Sequence, residues 1–116
     1  MSITHIGENP LMSDVTIHNG VAYLSGQVAM EARGAPFADQ AQAIFARIDD
    51  LLKQAGTDRS KLLNVSIWLV DLDEFTEFNT LWQGWLKDVR PPARATVGAR
   101  LVMPGLKLEI QVTAAV

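Results

Sequence analysis

A chain of 116 residues has the usual length of a single domain, and 48% hydrophobic with 20% charged residues is the composition of a globular protein. We therefore expect one domain over 1–116. The formal net charge of −3 excludes the strong basic field from which nucleic-acid-binding proteins draw most of their affinity, so we expect no nucleic-acid partner. The absence of cysteine excludes disulfides, thiolate nucleophiles and metal sites with cysteine ligands.

The sequence begins without the features that direct a chain into or across a membrane. Met1 to His5 carries neither the basic region nor the apolar region of a secretory signal. No apolar run anywhere approaches the roughly 18 residues that cross a bilayer. We expect a cytoplasmic protein that has no membrane partner.

The first half of the chain predicts a hairpin followed by a helix. Alternating apolar residues over Ser13–Gln27 predict two strands, and Asn19-Gly20 between them supplies the positive φ angles of a tight turn. The residues before this hairpin are expected to be mobile. Apolar residues then recur at helical spacing over Phe37–Ala55, and Gly56 ends that helix.

The second half predicts a strand, a second helix and two further strands. Residues with high strand propensity over Leu63–Val70 predict a strand that is apolar on both faces. Helical spacing returns over Phe75–Leu86. The two prolines that follow cannot continue this helix, and strands are predicted over Ala93–Ala99 and Leu106–Thr113.

The predicted order of elements is ββαβαββ, which contains two strand-helix-strand crossovers. The simplest architecture is an α+β domain in which both helices pack on one face of a mixed sheet. Trp68, Val70 and Thr96 are expected to project from the opposite, uncovered face. Because large apolar faces are usually covered by another protein surface, we expect the chain to assemble with further copies of itself.

Arg94 and Glu109 are the best candidates for a small-molecule site, and we expect them on two neighbouring strands. The prolines before Arg94 stiffen its approach, so its guanidinium is suited to bind a carboxylate through two hydrogen bonds. Glu109 lies in the middle of a strand, where a half-buried carboxylate can position a water or transfer a proton. The spacing alone leaves an alternative open for each residue. Arg94 could be a surface or interface arginine paired with Asp or Glu, and Glu109 could be a solvated charge on an edge strand beside Lys107.

Other polar residues carry weaker signals. Asn79 interrupts the apolar face of the second helix, and Ser25-Gly26-Gln27 can expose backbone N–H groups at the end of a strand. His5 and His18 are too isolated for a metal site and are expected at the surface. The aromatic residues of the second helix have no interleaved Lys or Arg, which favours a core over a base-stacking surface.

Four segments in this order resemble the reactive intermediate deaminase family, also called the RidA or YjgF family. They are Ser25-Gly26-Gln27, Val65–Asn79, Pro92–Val97 and Leu108-Glu109-Ile110. The resemblance covers nearly the whole chain. It implies a chorismate-mutase-like fold of the bacillus type and a homotrimer with pockets at the subunit interfaces. It also implies hydrolysis of reactive enamines or imines, such as 2-aminoacrylate, to a 2-keto acid and ammonia.

The resemblance also implies roles for individual residues. Arg94 is similar to the carboxylate-binding arginine of the family, and Glu109 to the glutamate that positions water. Ser25 and Gly26 correspond to the pocket wall, and Asn79 corresponds to a pocket amide. The expected partner is therefore a small imino or enamino acid, or another small carboxylate.

Two positions depart from the best-characterised branch of the family, and they place the chain in a divergent branch. Met12 stands where that branch has a pocket tyrosine, and Thr96 stands where it often has a cysteine. The implied reaction needs no metal or cofactor, because imines hydrolyse unaided in water and require only positioning and charge. Two alternatives remain: a trimer that binds a carboxylate without turnover, and RNA cleavage or translation inhibition, which the acidic charge disfavours.

Overall fold

A computed structural model describes residues 2–116, which form a six-stranded mixed sheet and two helices. The strands are β1 (Thr4–Ile6), β2 (Val15–His18), β3 (Val21–Leu24), β4 (Leu62–Leu69), β5 (Ala93–Gly98) and β6 (Leu108–Ala115). The helices are α1 (Phe37–Gln54) and α2 (Phe75–Trp85). The strands lie in the order β1-β2-β3-β6-β4-β5, in which only β4 and β5 are parallel neighbours. The α+β architecture predicted from the sequence is confirmed.

The N-terminal hairpin forms as predicted, and the sheet extends one strand beyond it. Asn19 and Gly20 have φ angles of 51° and 76°, as the tight turn requires. The expectation that the preceding residues are mobile is wrong, because β1 pairs antiparallel with β2. Ile6 packs against the core from this strand. A strand of three residues is too short for its alternation to be recognised in the sequence.

Both helices are crossovers that pack on the same face of the sheet. Helix α1 connects β3 to β4, and α2 connects β4 to β5. The two helices contact each other through Phe45 and Trp85, whose rings are stacked with centroids 4.5 Å apart. No helix of residues 2–116 has the length and apolar character needed to span a bilayer.

The face of the sheet beneath the helices is set by alternation along the strands. On β6 the residues Leu108, Ile110, Val112 and Ala114 are buried, and the residues between them point to the opposite face, which we call the open face. The prediction for β4 is wrong at its start, where Leu62 is buried and Leu63 is 47% exposed. The register with β6 shifts between Leu62 and Asn64, which turns Leu63 outward.

Gln40 joins the start of α1 to the segment that leads into β6. Its side chain is fully buried, and its Nε2 donates to the carbonyl oxygens of Ala35 and Gly105 at 3.1 and 2.9 Å. Its Oε1 accepts from the backbone N–H of Lys107 at 2.9 Å. Both N–H groups of this amide and one of the two lone pairs on its oxygen therefore hold backbone groups in place.

We predict that Gln40→Met lowers the free energy of unfolding by about 2–4 kcal/mol, because three part-buried hydrogen bonds to the backbone are lost. Gln42→Met, at an exposed position of the same helix, is the matched control and is expected to change it by less than about 0.5 kcal/mol. Urea unfolding followed by tryptophan fluorescence, at one fixed protein concentration, measures both. Equal midpoints for the two variants would show that the amide does not hold the loop.

Candidate functional site

Arg94 projects from β5 toward α2, which surrounds its guanidinium. The Nη2 group donates to Oδ1 of Asn79 at 2.7 Å. The guanidinium carbon lies 5.7, 5.7 and 5.2 Å from the ring centroids of Phe75, Phe78 and Trp82. These distances are typical of cation–π contacts. The aromatic stripe of α2 was predicted as core, and Phe78 and Trp82 are buried, yet the same rings also hold Arg94.

The charge of Arg94 has no anionic partner within the described part of the chain. The single salt bridge of residues 2–116 joins Arg59 and Asp49 at 3.2 Å. Burial lowers the pKa of Arg94 from its ordinary value, although an arginine remains protonated at any physiological pH. The alternative in which Arg94 pairs with an Asp or Glu of its own chain is therefore wrong, and its charge is available to an external anion.

Arg94 lines a cleft of about 420 Å³ between the end of α2 and the start of β5. A volume of this size lies in the range of small-molecule sites. Polar groups are contributed by Arg94, Asn79 and Gln83, and apolar walls by the other residues. The full lining consists of Asn79, Trp82, Gln83, Leu86, Pro91 and Arg94.

Thr96 lies on the same face as Arg94, two residues further along β5. Both residues pair with fully buried residues of β4, Arg94 with Val65 and Thr96 with Ile67. The prediction that Thr96 projects from the open face is therefore wrong, because the parallel register of β5 with β4 turns it toward the helices. Its Oγ1 is buried and has no hydrogen-bond partner among residues 2–116.

Glu109 projects from β6 to the open face, where it lies across from Trp68 of β4. Its carboxylate rests on the backbone of Gly26, because any Cβ atom at that position would overlap Oε2 of Glu109. Burial raises the pKa of Glu109, and neither a hydrogen bond nor a charged neighbour in residues 2–116 offsets the effect. The carboxylate therefore takes up a proton more readily than an ordinary glutamate does.

Gly26 reaches this position because the ladder between β3 and β6 contains a bulge. Regular pairing ends at Tyr23 opposite Thr113 and resumes at Gln27 opposite Ile110, so residues 24–26 face only residues 111–112. The sequence analysis missed this bulge. The glycine within a strand pattern is the signal that indicates one.

Ser25 lies inside the bulge, and its polar groups are engaged by the protein. Its N–H donates to the carbonyl of Asp14 at 3.0 Å, and its hydroxyl accepts from Nε2 of Gln27 at 3.2 Å. Met12 lies two residues before Asp14 in an exposed segment, and it is itself 52% exposed. Neither Ser25 nor Met12 lines the cleft at Arg94, and Ser25 directly precedes the glycine that contacts Glu109.

The predicted residues form two groups on opposite faces of the sheet. Arg94, Asn79 and Thr96 form one group, which we call the arginine half-site. Glu109 and Gly26 form the other, which we call the glutamate half-site, and Ser25 directly precedes Gly26 in the bulge.

Arg94 and Glu109 do not lie on neighbouring strands, and that prediction is wrong. Strand β4 separates β5 from β6. Since the two side chains also point to opposite faces, a small ligand bound to Arg94 does not reach Glu109 of the same chain. A small ligand can therefore contact one of these two groups of a chain but not both.

The open face around Glu109 is rich in exposed apolar side chains. Tyr23, Val70 and Val97 are 50%, 49% and 50% exposed, and Trp68 is partly exposed beside Glu109. His5 lies on β1, and His18 lies on β2 beside the hairpin turn, where its Nδ1 is 3.2 Å from the carbonyl oxygen of Ser2. Among residues 2–116 no three metal-ligating side chains converge.

We predict that Gly26→Ala displaces the Glu109 carboxylate without unfolding the chain. The φ angle of Gly26 suits an alanine, but the added methyl group meets Glu109, which costs about 1–2 kcal/mol of the free energy of unfolding. Glu109→Ala removes the three atoms that lie nearest to this methyl group, so in that background the cost should be much smaller. A double-mutant cycle by urea unfolding measures this coupling. Equal costs in both backgrounds would contradict the contact.

Known proteins resemble the chain over its whole length. The sequence profile of the family described as endoribonuclease L-PSP matches residues 7–116. A RutC family protein of Haemophilus ducreyi is 36% identical over 114 residues, which cover 98% of this chain and 97% of the relative. A solved YjgF family protein from Neisseria meningitidis has a TM-score of 0.92 and 36% identity, covering 99% of this chain and 95% of that one. A Rid family protein of unknown function from Yersinia pestis has a TM-score of 0.91 and 25% identity, with coverage of 99% and 100%.

Proposed function

We propose that this chain, which belongs to the endoribonuclease L-PSP family, hydrolyses reactive enamines or imines. It is similar over nearly its whole length to RutC, YjgF and Rid family proteins. The substrates would be small 2-imino acids of the 2-aminoacrylate type, and the products a 2-keto acid and ammonia. A cytoplasmic location, where amino-acid metabolism generates such intermediates, belongs to the same proposal.

One observation carries this proposal: among residues 2–116, Arg94 has no anionic partner, and the partly buried carboxylate of Glu109 has no cationic one. Burial alone perturbs the pKa of Glu109. A 2-imino acid supplies what both groups lack, since it has a carboxylate for the guanidinium and a C=N carbon that must be attacked by water. Structural ion pairs would have neutralised these charges within the chain.

Arg94 would bind the substrate carboxylate and set its orientation. The hydrogen bond to Asn79 uses one N–H group, and the three aromatic rings limit the positions that the guanidinium can take. The remaining N–H groups are free to donate to both oxygens of a carboxylate. Preorganisation of this kind reduces the entropy that binding would otherwise cost.

Glu109 would orient the attacking water and accept its proton. Water adds to the carbon of the protonated C=N bond while Glu109 takes one of its protons, and Glu109 then returns that proton to the carbinolamine nitrogen. The C–N bond breaks as the C=O bond forms, and the hydroxyl proton passes by way of Glu109 to the departing ammonia. Because burial raises the pKa of Glu109, its carboxylate is a stronger base than an ordinary glutamate, which suits it to accept a proton and return it later in the reaction. Thr96 lies two residues from Arg94 on the same face of β5, and its buried hydroxyl has no partner in residues 2–116.

A homotrimer would bring the two half-sites together. The exposed apolar side chains of the open face favour a contact with another copy, because leaving them in water is costly. In a closed ring the glutamate half-site of one chain would face the arginine half-site of the next. Each pocket would then contain residues from two chains.

Two other functions are separated by assay. A trimer that only binds a small carboxylate uses Arg94 in the same way, but it gives no keto acid when 2-aminoacrylate is generated in its presence. The family description supports RNA cleavage, which the net charge of −3 disfavours. Salt-dependent RNA binding and RNA cleavage would favour this second function.

We predict that Arg94→Ala lowers kcat/KM for imine hydrolysis by the equivalent of about 2–5 kcal/mol, because a desolvated charge-assisted pair is lost. Arg94→Lys should recover little of this loss, since an ammonium group cannot bind both carboxylate oxygens in one plane. Keto-acid release from 2-aminoacrylate generated in situ measures the rates, and Arg100→Ala, at an exposed position, is the control. Wild-type rates in Arg94→Ala would contradict the role of Arg94 in binding the substrate. Loss of folding in this variant would assign Arg94 to the structure instead.

We also predict that two inactive variants restore activity when they assemble together. Arg94→Ala chains keep the glutamate half-site, and Glu109→Gln chains keep the arginine half-site. In randomly mixed trimers about a quarter of the pockets combine the two intact half-sites, so activity should return to about that fraction of wild type.

The control for this experiment mixes Arg94→Ala with the Arg94→Ala/Glu109→Gln double variant, which contains no intact arginine half-site and should stay inactive. Light scattering should give three times the chain mass of 12.7 kDa, and native mass spectrometry should verify that the chains have mixed. Mixed trimers without recovered activity would contradict a pocket shared between chains.

A further inference from the structure

Gln27 is a buried polar residue whose side chain lies beneath the bulge that carries Gly26. Its side chain is 4% exposed, and Gln40 is the other polar residue of residues 2–116 with comparable burial. In a regular strand Gln27 would share the face of Tyr23, which is 50% exposed. The extra residue of the bulge reverses this alternation, so Gln27 points toward the helices and shares the buried face of its partner Ile110.

The side chain of Gln27 holds the bulge and is itself held by α1. Its Nε2 donates to the carbonyl oxygen of Ser25 at 3.0 Å and to the hydroxyl of Ser25 at 3.2 Å. Its Oε1 accepts from Nε of Arg47 at 3.0 Å. Because Ser25 and Gln27 flank Gly26, these contacts fix the backbone on both sides of the glycine.

The backbone of Gln27 fixes the same segment relative to the strand of Glu109. Its N–H donates to the carbonyl of Ile110 at 2.8 Å, and its carbonyl accepts from the N–H of Ile110 at 3.1 Å. Ile110 directly follows Glu109. The distance between Gly26 and the Glu109 carboxylate is therefore set by one residue through both its backbone and its side chain.

We propose that Gln27 is a positioning residue for Glu109: its amide locks the bulge that presses Gly26 against the carboxylate and so determines where that carboxylate points and how far water reaches it. The inference rests on the proposed function for its catalytic consequence. The geometric part does not depend on that function and can be measured without substrate.

The test is a titration of the Glu109 side chain by carbon NMR in wild type and in two matched variants. The Glu109 resonance is identified by its loss in Glu109→Gln. Gln27→Met keeps the length of the side chain and adds no charge, so it removes the hydrogen bonds only. Gln40→Met makes the same change at the other buried glutamine and controls for lost stability.

In Gln27→Met the bulge should loosen and water should reach the carboxylate. Since burial alone raises the pKa of Glu109, that pKa should fall toward its ordinary value, whereas Gln40→Met should leave it unchanged. A folded Gln27→Met protein with the wild-type titration would overturn the proposal. If Gln27→Met does not fold, Arg47→Ala removes the outer hydrogen bond of the amide and decides the matter: a smaller fall in the pKa supports the proposal, and no change overturns it.

Kinetics separate this inference from the proposed function. Gln27→Met should lower kcat for imine hydrolysis by about tenfold to a hundredfold, as expected for a displaced catalytic group. KM should stay unchanged, because the change does not touch the arginine half-site that binds the substrate carboxylate. A parallel rise in KM would indicate a general loss of structure and would overturn the positioning role. Wild-type protein that does not hydrolyse imines would overturn the proposed function, and the titration would still decide the role of Gln27.

Discussion

The alternation of side chains across the sheet is the constraint on which the arrangement of functional groups depends. A strand offers successive residues to opposite faces, and the pairing register fixes which residue goes to which face. On β5 this register turns Arg94 toward α2, and on β6 it turns Glu109 away from the helices. A shift by one residue in either strand would exchange these faces. The separation of the two charged groups is therefore as firmly set as the hydrophobic core itself.

Helix α2 combines two roles that are usually carried by different elements. Its aromatic residues close the core against α1 and the sheet, and the same rings enclose the guanidinium of Arg94. A cation held against π faces keeps attractive contacts after it loses part of its water, so the charge is tolerated where a bare one would be costly. The packing of the core therefore also limits the positions that the guanidinium of Arg94, the proposed ligand-binding group, can take.

The sequence predicted the elements and the candidate residues better than it predicted their arrangement. Periodicity located both helices, the hairpin and the strand that carries Glu109, because each pattern is long enough to be recognised. It did not show that β4 separates β5 from β6, since the order of strands depends on long-range pairing. The bulge at 24–26 and the face of Thr96 were missed for a related reason: a shift of one residue changes the face without changing the local pattern.

The central position of β6 has a consequence for the order in which the fold can be completed. Strand β6 follows every other strand in the chain, yet it lies between β3 and β4. Without β6, the remaining pairings join β1, β2 and β3 in one group and β4 with β5 in another, and no strand pairing connects the two groups. During synthesis the two halves of the sheet can only meet through the helices until the last strand inserts. Because Glu109 lies on β6, the strand that completes the sheet also brings this carboxylate to its final position.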